Sequence, residues 1–197
     1  MRLLSEGAEA KIYLVSIFGT LLLVKKRHAK PYRASQLDIM LRKMRTKKEA
    51  HAMLVAKNAG VSVPAVYATG SDEIYMELVK GKLMRDSAFD RKIIADVGIE
   101  LAKLHSAGIA HGDFTPANIL LTDKGVCIID FGLAEPNAGI EEKAIDLLLM
   151  KRSLSKEFYL LFENAYAKAY ANSSAVLRRL AEIEKRGRYQ ARTIANV

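Results

Sequence analysis

A chain of 197 residues, half of them hydrophobic, can bury a core of its own as one compact unit or two small lobes. No apolar run approaches the roughly 18 to 20 residues of a bilayer span, and Met1 to Gly7 carries no signal-peptide stretch, so a cytoplasmic protein without membrane attachment is expected. One cysteine, Cys127, excludes an internal disulfide framework, and a net charge of +9 favours a polyanionic partner.

Taken in order, Met1 to Glu6 reads as a first strand. The tight link Gly7-Ala8-Glu9-Ala10 leads to a second strand, Lys11 to Ile17, which pairs with Leu21 to Lys25 across Phe18-Gly19-Thr20. A loop of this kind can cover phosphates, and Gly7 is its candidate contact, although a full G-x-G-x-x-G run would supply three glycines. Lys25 ends the third strand, where a lysine reaches nucleotide phosphates if an acid from a neighbouring helix fixes its ammonium; Lys26 is the rival should the register slip by one. That acid is Glu49. It stands in a helix from Leu37 to Asn58 whose apolar positions are Leu37, Met40, Leu41, Met44, Met53 and Leu54, closing at Gly60. From Lys25 to Lys48 ten Lys or Arg stand against one acid, Asp38, in a basic stretch that includes the loop Lys26 to Arg33 with its Tyr32.

Val63 to Ala68 and Glu73 to Val79 read as two further strands around Thr69-Gly70-Ser71-Asp72. A helical region follows, which divides the chain near residue 79 into lobes 1–79 and 80–186, with a basic, mobile tail at 187–197. The run joining the lobes offers backbone groups to an adenine ring at Met76, Glu77 and Val79. The expected class is α+β and bilobal: an antiparallel sheet plus one helix, then a mainly helical and truncated second lobe.

A helix from Arg91 to Ala107, with Ile93, Ile94, Val97, Leu101 and Leu104 on one stripe, delivers the chain to His111-Gly112-Asp113-Phe114-Thr115-Pro116-Ala117-Asn118. The apolar strands Ile119 to Leu121 and Val126 to Ile129 then turn at Thr122-Asp123-Lys124-Gly125 and lead into Asp130-Phe131-Gly132. An acid that can accept a hydroxyl proton, Asp113, a carboxamide five residues on, Asn118, and a second carboxylate after the next strand, Asp130, make a magnesium-nucleotide phosphotransfer centre. Asn118 and Asp130 would point oxygens at Mg2+ bridging the phosphates of ATP, while Asp113 stays free of metal to orient the attacking group. Three helices follow, roughly Glu141–Arg152, Ser155–Asn172 and Ser174–Arg186, and Tyr159, Phe162, Tyr166 and Tyr170 sit at helical spacing as core residues.

With these residues in place the chain resembles the protein-kinase superfamily along nearly its whole length. More closely, Gly7-Ala8-Glu9-Ala10, Lys25-Lys26-Arg27, Tyr32-Arg33, Leu37-Asp38, Arg45-Thr46, Glu49-Ala50 and His111-Gly112-Asp113 together resemble the small atypical kinase subunit of the KEOPS complex, the PRPK-like family. The resemblance implies an ATP-dependent serine/threonine kinase or ATPase that supports N6-threonylcarbamoyladenosine formation on tRNA beside a threonylcarbamoyl-transferase subunit and the other KEOPS subunits. It implies Lys25 and Asp113 as catalytic residues, Asn118 and Asp130 as metal ligands, and tRNA as the partner of the basic surface and tail.

The departures from ordinary protein kinases carry content. His111 is followed by Gly112 rather than Arg, so the cation that would clasp an activation-loop phosphate is missing. Only seven residues separate Gly132 from Ile140, too few for an extended peptide platform. Thr115 stands where many serine/threonine kinases place a lysine, which favours hydrolysis or autophosphorylation over transfer to other proteins. Two alternatives stand beside this reading. A small-molecule phosphotransferase shares the central motifs but needs extra helices for its substrate, and a nucleotide-binding tRNA scaffold would bind without turnover.

Overall fold

A computed structural model describes the backbone of residues 1–195 and the side chains of residues 1–186; the side chains of the tail expected at 187–197 lie outside the described residues. Five antiparallel strands form the first sheet: β1 (Arg2–Glu6), β2 (Ala10–Ile17), β3 (Thr20–Arg27), β4 (Val66–Thr69) and β5 (Glu73–Glu77), in the order β1-β2-β3-β5-β4. Register is fixed along β2 and β3 by eight opposed pairs from Ala10↔Arg27 to Ile17↔Thr20, so Lys25 faces Ile12 on one side and Ile74 on the other. The one long helix of this half, α1 (Ser35–Asn58), lies between β3 and β4 in sequence and packs toward β4 and β5.

Several boundaries differ from those read in the sequence: the third strand runs on past Lys25 to Arg27, the first long helix starts at Ser35 rather than Leu37, and the last helix continues past Arg186 to Ala195, through most of the stretch read as a tail. The fourth strand begins at Val66 rather than Val63, because Pro64 has no N–H for a ladder, although Val63 and Pro64 are buried. The fifth ends at Glu77, two residues short of Val79. The apolar pattern of α1 also lies differently: Leu37, Met40, Met44 and Leu54 are exposed, whereas Asp38, Thr46, Glu49, Ala50, Ala52, Met53 and Ala56 are buried. The inward face thus carries small residues and two acids.

The second half begins with β6 (Lys82–Leu83), which pairs with β8 (Ile119–Thr122); β8 pairs in turn with β9 (Gly125–Ile128), making a three-stranded sheet where a hairpin alone was expected. Helix α2 (Arg91–Ser106) starts at Asp90, whose carboxylate accepts from the Ile93 amide at 2.9 Å. It buries Ile94, Val97, Leu101 and Leu104, packing against α4 (Lys156–Ala169), which contributes Tyr159, Phe162 and Tyr166. The short strand β7 (Ile109–Ala110) pairs with β10 (Glu135–Pro136), and α3 (Ile140–Ser153) and α5 (Ser173–Ala195) complete the order. Tyr159, Phe162, Tyr166 and Tyr170 are all buried, as the helical spacing predicts. The antiparallel sheet before the helical half gives the expected α+β class. Among the described residues no helix is long and apolar enough to cross a membrane.

Candidate phosphotransfer site

Residues two apart on a strand point to the same face. Lys25 and Arg27 therefore both turn inward from β3, toward α1, while Lys26 turns away and pairs with Glu73 at 2.5 Å. The register brings Lys25, and not Lys26, to Glu49. Its Nζ lies 2.6 Å from Oε1 of Glu49 and 2.8 Å from Oδ1 of Asp130, so one ammonium joins the sheet, the helix and the segment after β9. Glu49 does not pair with Arg45 one helical turn back; Arg45 instead reaches Glu9 of the β1–β2 link at 2.7 Å. Gly7 closes that link, its amide donating to the Ala10 carbonyl at 2.9 Å.

Asp130 holds a left-handed backbone, φ 61°, a conformation that costs a non-glycine residue energy and needs local support. Two bonds to its Oδ1 supply that support: one from Lys25 and one from the Gly132 amide at 3.2 Å. Partial withdrawal from bulk water opposes ionisation of this carboxyl. The charge and hydrogen bond of Lys25 and the Gly132 amide together outweigh it and hold the group below the usual carboxylate range.

The loop before β8 is assembled by its own side chains and by one buried acid. Asn118 Nδ2 donates to the Asp113 carbonyl and to Asp113 Oδ2, both at 2.8 Å, which fixes the Asp113 side chain and leaves Asn118 Oδ1 as the end available to a cation. Asn118 is carried to the neighbourhood of Asp130 by the β8–β9 ladder, since its carbonyl accepts from the Ile129 amide at 2.9 Å. His111 accepts from the Asp113 amide at Nδ1, 3.3 Å, and donates from Nε2 to the Ile129 carbonyl, 3.0 Å, a neutral tautomer that crosslinks the two segments.

Behind this loop stands Asp146 of α3. Its Oδ2 accepts from the His111 amide at 2.6 Å and from His105 Nε2 at 3.1 Å, and its Oδ1 accepts from the Gly112 amide at 2.8 Å. His105 Nδ1 in turn accepts from the Tyr166 hydroxyl at 2.8 Å. Burial is the main influence on His105 and drives its pKa below the ordinary histidine value despite the carboxylate beside it. The ring is therefore neutral with both nitrogens satisfied. Burial likewise raises the pKa of Tyr166, which keeps its hydroxyl a donor. Gly112 has φ 80°, and a side chain there would overlap the Leu133 carbonyl oxygen, so this position takes glycine for shape as well as for backbone angle.

The donor set suits a hard, oxygen-loving cation. Asn118 Oδ1 and the Asp130 carboxylate are oxygen ligands, and no cluster of three or more His, Cys, Asp or Glu able to hold a metal occurs among the described residues. Two protein oxygens fit magnesium, which keeps waters and binds with substrate phosphates rather than in an all-protein cage. At the join to the second half, Met76 is buried, while the Glu77 amide donates to the Ala65 carbonyl at 2.8 Å and Glu77 Oε2 accepts from the Ala65 amide at 3.0 Å. Glu77 and Val79 are both partly buried.

Of the ten basic residues between Lys25 and Lys48, seven meet acids: Lys25, Lys26, Arg27, Arg33, Arg42, Arg45 and Lys48. Much of the stretch is thus internal or paired, and Lys30, Lys43 and Lys47 carry the cationic charge outward. Sequence reasoning passed over Glu9, Arg27, His105 and Asp146. Arg27 was signalled by strand alternation from Lys25, and Asp146 by its place on the buried stripe with Ala144, Leu147 and Met150.

Comparison with known proteins gives a consistent picture. The RIO domain family matches residues 17–158. The chain is 37% identical to the KEOPS complex subunit Bud32 of Pyrococcus abyssi, over 98% of each chain. It is 36% identical to a probable bifunctional tRNA threonylcarbamoyladenosine biosynthesis protein of Methanothermobacter thermautotrophicus, over 95% of this chain but only 36% of that longer one. Among solved structures it is similar in fold to the Rio2 kinase of Chaetomium thermophilum in an ADP/Mg2+-phosphoaspartate complex, with TM-score 0.66 at 20% identity over 96% of this chain and 72% of that one.

Proposed function

The chain belongs to the RIO-type atypical kinases and, among them, to the Bud32 family, and from that premise we propose that it is an ATP- and magnesium-dependent phosphotransferase or ATPase of a KEOPS assembly, supporting threonylcarbamoyladenosine formation on tRNA. The observation that carries the reading is the ammonium of Lys25 held between Glu49 and Asp130, at 2.6 and 2.8 Å. Glu49 aims Lys25 at the α and β phosphates of the nucleotide. Asn118 Oδ1 and Asp130 are the groups that would hold magnesium, which when bound neutralises charge on the phosphate oxygens. Asp113, its Oδ2 fixed by Asn118, keeps Oδ1 to orient water or a hydroxyl and to take its proton. Positioning and charge neutralisation supply most of the rate in such a transfer.

Thr115 supplies no cation to a transferred phosphoryl group, and the segment of seven residues between Gly132 and Ile140 provides no peptide platform. Both features favour water, the chain itself or a bound partner as acceptor. Lys30, Lys43 and Lys47, with the basic residues toward the C-terminus, suit sequence-independent contact with tRNA phosphates that weakens steeply with salt.

The test is magnesium-dependent phosphate release from ATP by the purified chain, alone and then with tRNA and a threonylcarbamoyl-transferase subunit. Turnover is expected to rise with those partners and to fall by about a hundredfold or more in Asp130→Ala and Asp113→Ala that remain folded. ATP binding without turnover under every condition would refute the enzymatic reading and leave the scaffold. Efficient, saturable phosphorylation of a generic peptide, indifferent to tRNA, would refute the assembly reading.

A further inference from the structure

We infer that Arg27 is a positioning residue of this site, acting through Glu49 to hold Lys25 in line with Asp130, an inference that rests on the phosphotransferase reading. Lys25 and Arg27 each take one oxygen of the same carboxylate: Lys25 Nζ lies 2.6 Å from Glu49 Oε1, and Arg27 Nη2 lies 2.6 Å from Glu49 Oε2. All three groups are interior, with Arg27 4% and Glu49 2% exposed. A Cβ built on Gly132 would stand 3.5 Å from Lys25 Nζ and 3.7 Å from Arg27 Nη2, so both cations come up against the segment that carries Asp130.

The charges explain why two cations are needed. Lys25 is shared between Glu49 and Asp130, and Arg27 supplies the second positive charge that balances the pair of carboxylates. Without it, one ammonium would serve two acids and one oxygen of Glu49 would lie open in the interior, a state that costs free energy and lets the carboxylate turn. The planar guanidinium also ties α1 to β3 at a second point beside the Lys25 contact. A weaker outer link continues the series, since Arg27 Nη1 lies 3.8 Å from Glu9, which Arg45 of α1 holds at 2.7 Å. Arg27 Nε, by contrast, is buried without a partner, a cost that packing alone would not require. In many kinases a phosphorylated activation loop helps bring the lysine–glutamate pair into place. Here the restraint on Glu49 comes from the strand that bears the lysine.

The experiment compares Arg27→Met, Arg27→Lys, Glu49→Gln and the double variant Arg27→Met/Glu49→Gln with the parent chain, measuring kcat and KM for ATP and the unfolding midpoint. For Arg27→Met, kcat is expected to fall by between about tenfold and a hundredfold. The KM for ATP should change by less than about threefold. Arg27→Lys should recover most of the rate, and the double variant should be no slower than Glu49→Gln alone, because Arg27 acts through that carboxylate. Arg27→Gln, which drops the charge and keeps a donor, carries the same comparison should the methionine variant not fold. A folded Arg27 variant without the charge that keeps kcat within about twofold of the parent would overturn the inference, as would a double variant in which the two losses multiply. A parent chain that shows no magnesium-dependent turnover would overturn the phosphotransferase reading itself.

Discussion

Asp146 offers the sharpest test of how the candidate site is held, because one fully buried carboxylate satisfies three donors, the amides of His111 and Gly112 and the ring of His105. In Asp146→Asn the shape is kept, but the amide nitrogen must take the place of one oxygen. If it faces Gly112, an N–H meets an N–H; if it faces the other side, the His111 amide and His105 Nε2 both lose their acceptor. A hydrogen bond to a charged group contributes about 1.5–3 kcal/mol. Losing one and opposing another donor therefore costs about 2–4 kcal/mol, out of a total stability of about 5–15 kcal/mol for a domain of this kind. With a urea m-value of about 2 kcal/mol/M, the midpoint should fall by about 1–2 M. Circular dichroism during urea titration reads that shift, and ATP turnover on the still-folded variant reads the displacement of His111 to Asn118. A midpoint within about 0.3 M of the parent would refute the argument, since it would mean that the three donors find other partners at no cost.

Two further outcomes follow from the same structure. Gly112 and Gly108 have nearly equal backbone angles, φ 80° and 78°, but only Gly112 has a backbone oxygen where a side chain would go. Gly108→Ala should cost about 1–2 kcal/mol for its left-handed conformation and leave turnover intact; Gly112→Ala should lose more stability and most of its turnover, as melting and ATPase assays would show. His105 gives a pH dependence whose sign is fixed: its folded pKa is depressed, so below the unfolded value of about 6.5 the unfolded chain binds a proton that the native ring refuses. Its contribution to stability is complete above about pH 6.5 and is lost as pH falls toward the folded value. His105→Gln should weaken the dependence of the unfolding midpoint on pH between about 7.5 and 5.5, and an unchanged slope would count against this account.

The strands flanking the site and the helices after it were legible because apolar alternation and helical spacing are local signals. β8 and β9 turn at the residues the sequence marks, and Tyr159, Phe162, Tyr166 and Tyr170 lie inside. The inward face of α1 was not legible. Its N-terminal apolar residues Leu37, Met40 and Met44 suggested a buried stripe, but the face next to the sheet is reserved for Glu49 and small side chains, so the apolar residues turn outward. Composition gave a similarly incomplete account of charge. Ten cations in one stretch read as a surface, and only the pairing of strands and helix reveals that Lys25 and Arg27 point inward. Asp146 could be placed inside by its position on the stripe of Ala144, Leu147 and Met150, but its partners, which lie in other segments, could not be read from the helix alone.

The short segment after Asp130 is held in place by the strand before His111. Glu135 and Pro136 pair with Ala110 and Ile109, the strand that leads into the loop from His111 to Asn118. The Ala138 amide donates to the Gly108 carbonyl at 2.8 Å, and the Ala134 amide to the Phe131 carbonyl at 3.0 Å. Lys48 of α1 adds an ion pair to Glu135. The segment is therefore fixed by backbone bonds to the strand before His111, and Asp146 fixes the same loop from behind. A long activation loop needs an added phosphate and a cation to hold it because little of its backbone is paired. With seven residues stitched in this way, no such cation is needed, and Gly112 can take the position for its shape. On the proposed function, what is left to set the geometry of transfer is the Lys25–Glu49 pair, which places the control of the site in the sheet and α1 rather than in the loop.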